Sequence, residues 1–477
     1  MAKDRKERSQ HPLRENIEVA VFAVVMAMGL KVFAVEAYQI PTGSMQPTLM
    51  GTALLDPVTR QQRGGLHDRV LVDKVSYWFR DPERWEVVVF RYPLVTHVNY
   101  VKRLVGMPDE QLMIEFGDLW ARPLGSDEDF QILRKPWKVQ EGLWKRVHPP
   151  PGAAAEPWTG WSETGATSRT PDGAILLAGS AEVALATRIK DEPEHGYPDA
   201  IARRVPTMNA VGRHAVADLR WEFALTPRAP QGPLRADFEF GPHACTLTIE
   251  PDGSFALEGP AGPAFAGALQ AAEGAPIACD LAFWDHTLRF AVRGADGKEQ
   301  LLTQELQLEA QVAVRNGARF STAAGGWELS PVTGWRDIHY LPPRQNPATP
   351  VFDVAPGHYF MMGDNTQSSL DSRDWQSETF VFDPPLRGVE KVRGDRMDNG
   401  ADPMFNNPRW NAARDRMTFR DEHGGLHQWS AEDLAASQSD LVAAAPLVPR
   451  GYVLGRAIAV FMPLKPLAPV NRFGLVQ

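Results

Sequence analysis

Between Leu219 and Val292, several short segments place apolar residues at every second position. Leu219, Trp221, Phe223 and Leu225 share one face of an extended chain, as do Cys245, Leu247 and Ile249. Phe255 and Leu257 follow after the Pro251-Asp252-Gly253 turn. Ile277, Cys279, Leu281 and Phe283 come next, then Leu288, Phe290 and Val292. Side chains alternate across a strand, so a period of two buries one face of a sheet and rules out helix here. Short strands at this spacing, punctuated by turns such as Ala295-Asp296-Gly297, predict an antiparallel β-sandwich over about 205–310.

A second feature sets the topology. Residues 1–16 are rich in charge, and Ile17 to Ala37 is mostly apolar, close to the roughly 20 residues that span a bilayer. Lys3, Arg5, Lys6, Arg8 and Arg14 precede it, which places the N-terminus in the cytoplasm and the rest outside. A cleavable leader and a buried core helix are competing readings. An uncleaved anchor at 17–37 is favoured, because it would hold the following residues at the membrane surface. The chain carries 43% hydrophobic and 23% charged residues, as a globular protein does, and its net charge of −9 argues against a nucleic-acid binder. The two cysteines, Cys245 and Cys279, leave a disulfide and two free thiols equally open, and no Cys/His spacing suggests zinc.

Three stretches outside the sandwich carry chemistry. In Tyr38-Gln39-Ile40-Pro41-Thr42-Gly43-Ser44-Met45-Gln46-Pro47-Thr48, a serine follows a glycine between two prolines. In the strand predicted over Asn99–Val105, alternation puts Lys102 on one face with Tyr100 and Leu104. An ammonium buried beside apolar groups loses basicity, which lets a lysine act as a general base near neutral pH. The third stretch, Gly363-Asp364-Asn365-Thr366-Gln367-Ser368-Ser369-Leu370-Asp371-Ser372-Arg373, runs from a hydrophobic strand into a turn dense in charge.

Together with Val448-Pro449-Arg450-Gly451-Tyr452-Val453-Leu454-Gly455-Arg456, these blocks resemble the bacterial type I signal peptidases, serine–lysine proteases, in that family's order. The resemblance implies Ser44 as nucleophile and Lys102 as general base. It implies Thr42 and the Ser44 N–H as the oxyanion hole, and Ser369 as the hydroxyl that orients Lys102. Asp371 and Arg373 would pair and stiffen the turn, with Asp364 in support. The family's common Arg-Asp-Asn before that serine is Thr366-Gln367-Ser368 here, which leaves Ser368 as a second candidate beside Ser369.

The expected fold class is mainly β: an N-terminal transmembrane helix, an antiparallel catalytic sheet of the signal-peptidase type, and an inserted jelly-roll-like sandwich similar to laminin-G or concanavalin domains. The expected division is 38–115, 341–375 and 448–477 for the core, with insertions at 116–340 and 376–447. In the second insertion, Ser430 to Ala444 is expected as a helix capped by Ser430. Trp144, Trp158 and Trp161 either form a binding surface or pack a loop. The implied partners are preprotein signal peptides and the lipid bilayer at the cell's inner membrane, with an unknown ligand for the sandwich and no nucleic acid; no cofactor or metal is implied. The competing function is a membrane-tethered binding protein in which the peptidase core is only scaffold.

Overall fold

The structure, a computed structural model, describes residues 12–29, 35–150, 157–206, 211–309, 311, 315–344, 351–398, 406–435, 439–464 and 470–476. Strand Leu219–Pro227 buries every second side chain from Leu219 onward, and strands His243–Ile249, Ser254–Gly259 and Ile277–Trp284 bury the apolar sets read from their sequence. These strands belong to a 14-stranded antiparallel sheet among the described residues. Phe240 and Phe283 stack at 5.1 Å between centroids, although their strands lie far apart in the sheet order. The sheet therefore folds back on itself around one core. Its strands run from Lys145 to Arg336, a wider span than 205–310, because Lys145–His148, Trp161–Arg169, Ile175–Leu185 and Asn316–Thr322 join it.

The cysteine alternative resolves within this core. Cys245 and Cys279 are both buried and free. Trp158 is also buried there, with Trp161 packed against it, and Trp144 meets Trp284 edge-on. The three tryptophans pack loops rather than form an open face.

The other main sheet draws together pieces that lie far apart in sequence. Its order is Val35–Gln39, Arg69–Asp73, Val453–Met462, Val87–Tyr92, Val95–Gly106, His358–Met362 and Leu447–Pro449. Strand His358–Met362 lies antiparallel to Val95–Gly106, with Met362 opposite Arg103. The turn that begins at Gly363 therefore emerges beside Lys102. A smaller sheet pairs Glu110–Glu115 with Val351–Val354 on one side and Asp118–Pro123 on the other, so the core sheets continue past residue 115.

Two hydrophobic clusters weld the first insertion to the core. One gathers Trp85, Val105, Leu112 and Phe360 with Leu143, Ile338 and Tyr340. The other gathers Met50, Leu54 and Leu66 with Tyr197, Ile201, Ala202 and Val205.

The N-terminal segment differs from expectation. The helix is Pro12–Gly29, with Ile17, Val19, Phe22, Val24 and Val25 all exposed. Residues 30–34 lie outside the described ones. Val35–Gln39 is already a strand, paired with Arg69–Asp73, so 17–37 is helical only in part. Among the described residues, no helix is long and apolar enough to cross a membrane.

In the second insertion the helix ends at Ala435, and Ser439–Ala444 is a strand paired with Gln376–Leu386. Helix propensity is a weak preference, and an available strand edge overrides it. Ser430 does cap the short helix: Asp433 N–H donates to Ser430 Oγ at 3.1 Å, and Ser430 N–H donates to Asp433 Oδ2 at 2.8 Å.

Candidate active site

The strand Val95–Gly106 is buried on both faces from Lys102 onward. Lys102 is 3% exposed, and its Nζ donates to Ser369 Oγ at 3.1 Å. Burial pulls the amine down to about 8, against the opposing pull of the Asp371 carboxylate. Of the two candidate serines, Ser369 is fully buried and meets the lysine, whereas Ser368 is exposed.

Ser44 lies half-buried in a turn over residues 44–48. Its backbone carbonyl accepts from the Asn365 N–H at 3.0 Å, and the Gly43 carbonyl accepts from Asn365 Nδ2 at 3.0 Å. Gly363 sits between the two serines. A Cβ there would collide with both Ser369 Oγ and the Ser44 carbonyl oxygen. That close approach requires glycine. Thr42 is exposed, and its backbone crosses directly over Gly51, where a Cβ would strike it.

Two buried ion pairs frame this arrangement. Arg373 Nε and Nη2 donate to Asp371 Oδ1 and Oδ2, each at 2.8 Å, and Asp371 Oδ2 also accepts from the Gly363 N–H at 3.0 Å. Arg373 reaches further, to the carbonyls of Leu341 and Thr366. Asp364 takes the same fork from Arg103, Nε to Oδ1 and Nη2 to Oδ2, both at 2.8 Å. Thr48 Oγ1 donates to Asp364 Oδ2 at 2.6 Å. Burial would raise both carboxyls, but the guanidinium beside each outweighs it and holds them below the usual range. Bidentate geometry of this kind fixes orientation as well as charge.

The structure thus gathers Ser44, Lys102, Ser369, Asp364, Asp371 and Arg373 around one turn. Sequence reasoning missed Arg103, Thr48 and Asn365. Arg103 adjoins Lys102 and alternates to the opposite face, so it reads as an ordinary strand residue until Asp364 is seen facing it. Lys145 was missed as well. It is buried, and its Nζ donates to the Asp364 carbonyl at 2.8 Å. Burial, with Arg336 nearby, brings its amine down to about 7.

Among the described residues, one cluster of carboxylates could hold a cation. The carboxylate oxygens of Asp118, Asp218 and Asp285 converge within 4.8 Å of one another. The Lys135 ammonium, 2.5 Å from Asp285 and 2.8 Å from Asp337, supplies positive charge beside them.

Comparison with known proteins bears on the same residues. Residues 13–122 and 304–392 match the family model described as signal peptidase, peptidase S26. The probable signal peptidase I-2 of Synechocystis sp. is 32% identical over 115 residues, 23% of this chain and 46% of that protein. The signal peptidase I of Pseudomonas fluorescens is 36% identical over 140 residues, 25% of this chain and 44% of that protein. The chain spans about half the length of the curated relatives it matches. The resemblance to type I signal peptidases drawn from the motifs is borne out. Among solved structures, peanut lectin aligns with 90% of its own chain and 37% of this one, at 11% identity and a TM-score of 0.25.

Proposed function

We propose that this chain, whose core carries the type I signal peptidase pattern, is a membrane-anchored serine endopeptidase that removes N-terminal signal peptides from exported preproteins. The observation that carries the reading is the buried Lys102 amine against Ser369 Oγ, in a segment whose Asn365 N–H holds the Ser44 carbonyl. A lysine brought down to about 8 is a competent base near neutral pH.

In this reading the Lys102 amine takes the proton of Ser44 Oγ as that oxygen attacks the scissile carbonyl. The Ser44 N–H and the Thr42 hydroxyl stabilise the resulting oxyanion, with each aimed donor supplying about 3 kcal/mol. Collapse of the tetrahedral species passes the proton to the leaving amine and leaves an acyl-enzyme. Lys102 then activates a water that releases the acyl group. Ser369 holds the amine in line, and the Asp371–Arg373 and Asp364–Arg103 pairs hold the turn. The resemblance to type I signal peptidases implies sites with small residues at the first and third positions before the cut.

The helix Pro12–Gly29 supports anchoring, since Ile17, Val19, Val21, Phe22, Val24 and Val25 are all exposed. We read the apolar stretch that begins at Ile17, which this helix covers only in part, as the membrane anchor, with the N-terminus cytoplasmic and the catalytic sheet on the outer side.

The test is cleavage of a preprotein in detergent with chelator by wild type, Ser44→Ala and Lys102→Ala. Both variants are expected to lose at least a thousandfold in rate. Equal product from all three rejects proteolysis and returns the chain to a tethered binding role.

A further inference from the structure

The first insertion touches both catalytic loops with specific side-chain bonds. Tyr197 OH donates to Gln46 Oε1 at 2.7 Å, two residues beyond Ser44. Gly196 packs between Pro47 and Lys145, where a Cβ would crowd both. On the other loop, Gln367 Nε2 donates to the Asp191 backbone oxygen at 2.6 Å and to its Oδ2 at 3.0 Å. Thr366 Oγ1 donates to the His339 carbonyl at 2.8 Å. Thr366 and Gln367 are two of the three positions where this chain departs from the family's Arg-Asp-Asn, and both side chains turn to the insertion.

Lys145 makes the most consequential of these bonds. The carbonyl it holds belongs to the Asp364–Asn365 peptide group, and the N–H of that same group donates to the Ser44 carbonyl. One rigid peptide plane therefore connects a buried amine of the insertion to the backbone of the nucleophile turn. Hydrogen bonds at both ends of one amide polarise it and strengthen each other.

We propose that the first insertion completes the active centre, with Lys145 as the positioning residue that sets the Asp364–Asn365 peptide plane and, through it, the Ser44 backbone. The inference rests on the reading of Ser44 as nucleophile. Lys145 itself touches neither the substrate nor the reacting atoms. Its loss therefore acts on turnover and leaves substrate binding nearly intact.

The test uses the full chain in detergent, a short signal-peptide substrate, and hydrogen exchange at the Asn365 amide. Lys145→Met keeps the apolar stem and removes the donor. The expected result is a kcat at least tenfold lower, a KM within twofold of wild type, and at least tenfold faster exchange at Asn365. A folded Lys145→Met with kcat or Asn365 exchange within twofold of wild type overturns the proposal. If that variant does not fold, Tyr197→Phe decides. It removes one hydroxyl and keeps the ring, and a kcat lowered threefold or more at unchanged KM supports the clamp, whereas an unchanged kcat overturns it. A wild type that shows no Ser44-dependent cleavage, together with faster Asn365 exchange in Lys145→Met, sinks the peptidase reading and leaves the clamp standing.

Discussion

Lys102 Nζ lies 3.1 Å from Ser369 Oγ, and the two segments that carry them, far apart in sequence, are brought together by the pairing of Val95–Gly106 with His358–Met362. Burial holds that amine near 8. If its neutral form is the base, kcat/KM rises about tenfold per pH unit below 8 and levels off above it. Stability follows the same group by linkage. The native pKa lies below the unfolded one, so between about 8 and 10.5 the unfolded chain binds more protons, and this contribution to stability grows as pH rises through that window. A pH–rate profile with a short peptide substrate checks the first point. A flat profile from pH 6 to 9 would count against Lys102 as base.

Gly363→Ala tests the crowding around the turn. The added methyl meets Ser369 Oγ and the Ser44 carbonyl. Overpacking of this kind costs about 1–3 kcal/mol, and here the strain falls on both serines. The variant is expected to unfold at lower denaturant and to lose cleavage by at least a hundredfold. Wild-type stability and rate together would show that the turn is looser than the structure has it.

Arg103 and Asp364 are each almost fully buried. Removing one partner strands the other's charge, so Arg103→Met is expected to destabilise by about 3–5 kcal/mol. The double variant Arg103→Met with Asp364→Leu should recover much of that loss, because an apolar pair needs no compensation. Denaturant unfolding of the two singles and the double gives the coupling directly, and simple additivity would mean that the pair does not act as a unit.

Asp395 lies at the seam between the second insertion and the core, where its Oδ1 accepts from Tyr92 OH at 2.9 Å. Burial raises its carboxyl to about 6. A raised native pKa means that the native state holds its proton longer than the unfolded chain, so stability falls as pH rises from about 4 to 6. Asp395→Asn keeps an acceptor for Tyr92 and removes the charge. At pH 8 it is expected to stabilise the protein by roughly 2 kcal/mol, with little change at pH 4. Thermal unfolding at the two pH values reads this out.

The sheet positions were legible from alternation within each strand, whereas the Lys102–Ser369 encounter was legible only through the resemblance of its motifs to type I signal peptidases. The sandwich faces came out from alternation too, since a period of two survives in any one strand. Lys145 and Asp191 gave no such signal. They become part of the site through contacts with loops far away in sequence, and nothing within their own segments marks them. Ser439–Ala444 failed differently: its alanine-rich sequence suits a helix, but the free edge of Gln376–Leu386 captured it as a strand. The apolar run through Ala37 was misjudged at its end for the same reason, because Arg69–Asp73 offered Val35–Gln39 a partner.

That last pairing has a mechanical effect. Strand Val35–Gln39 ends only five positions before Ser44 and is bonded along its length to the central sheet. With the preceding apolar stretch in the bilayer, as proposed, the sheet fixes where the chain enters the nucleophile turn. The five residues of that strand span about 17 Å of extended chain, a length held by the sheet. The depth at which an emerging polypeptide is cut then becomes a property of the scaffold's rigidity.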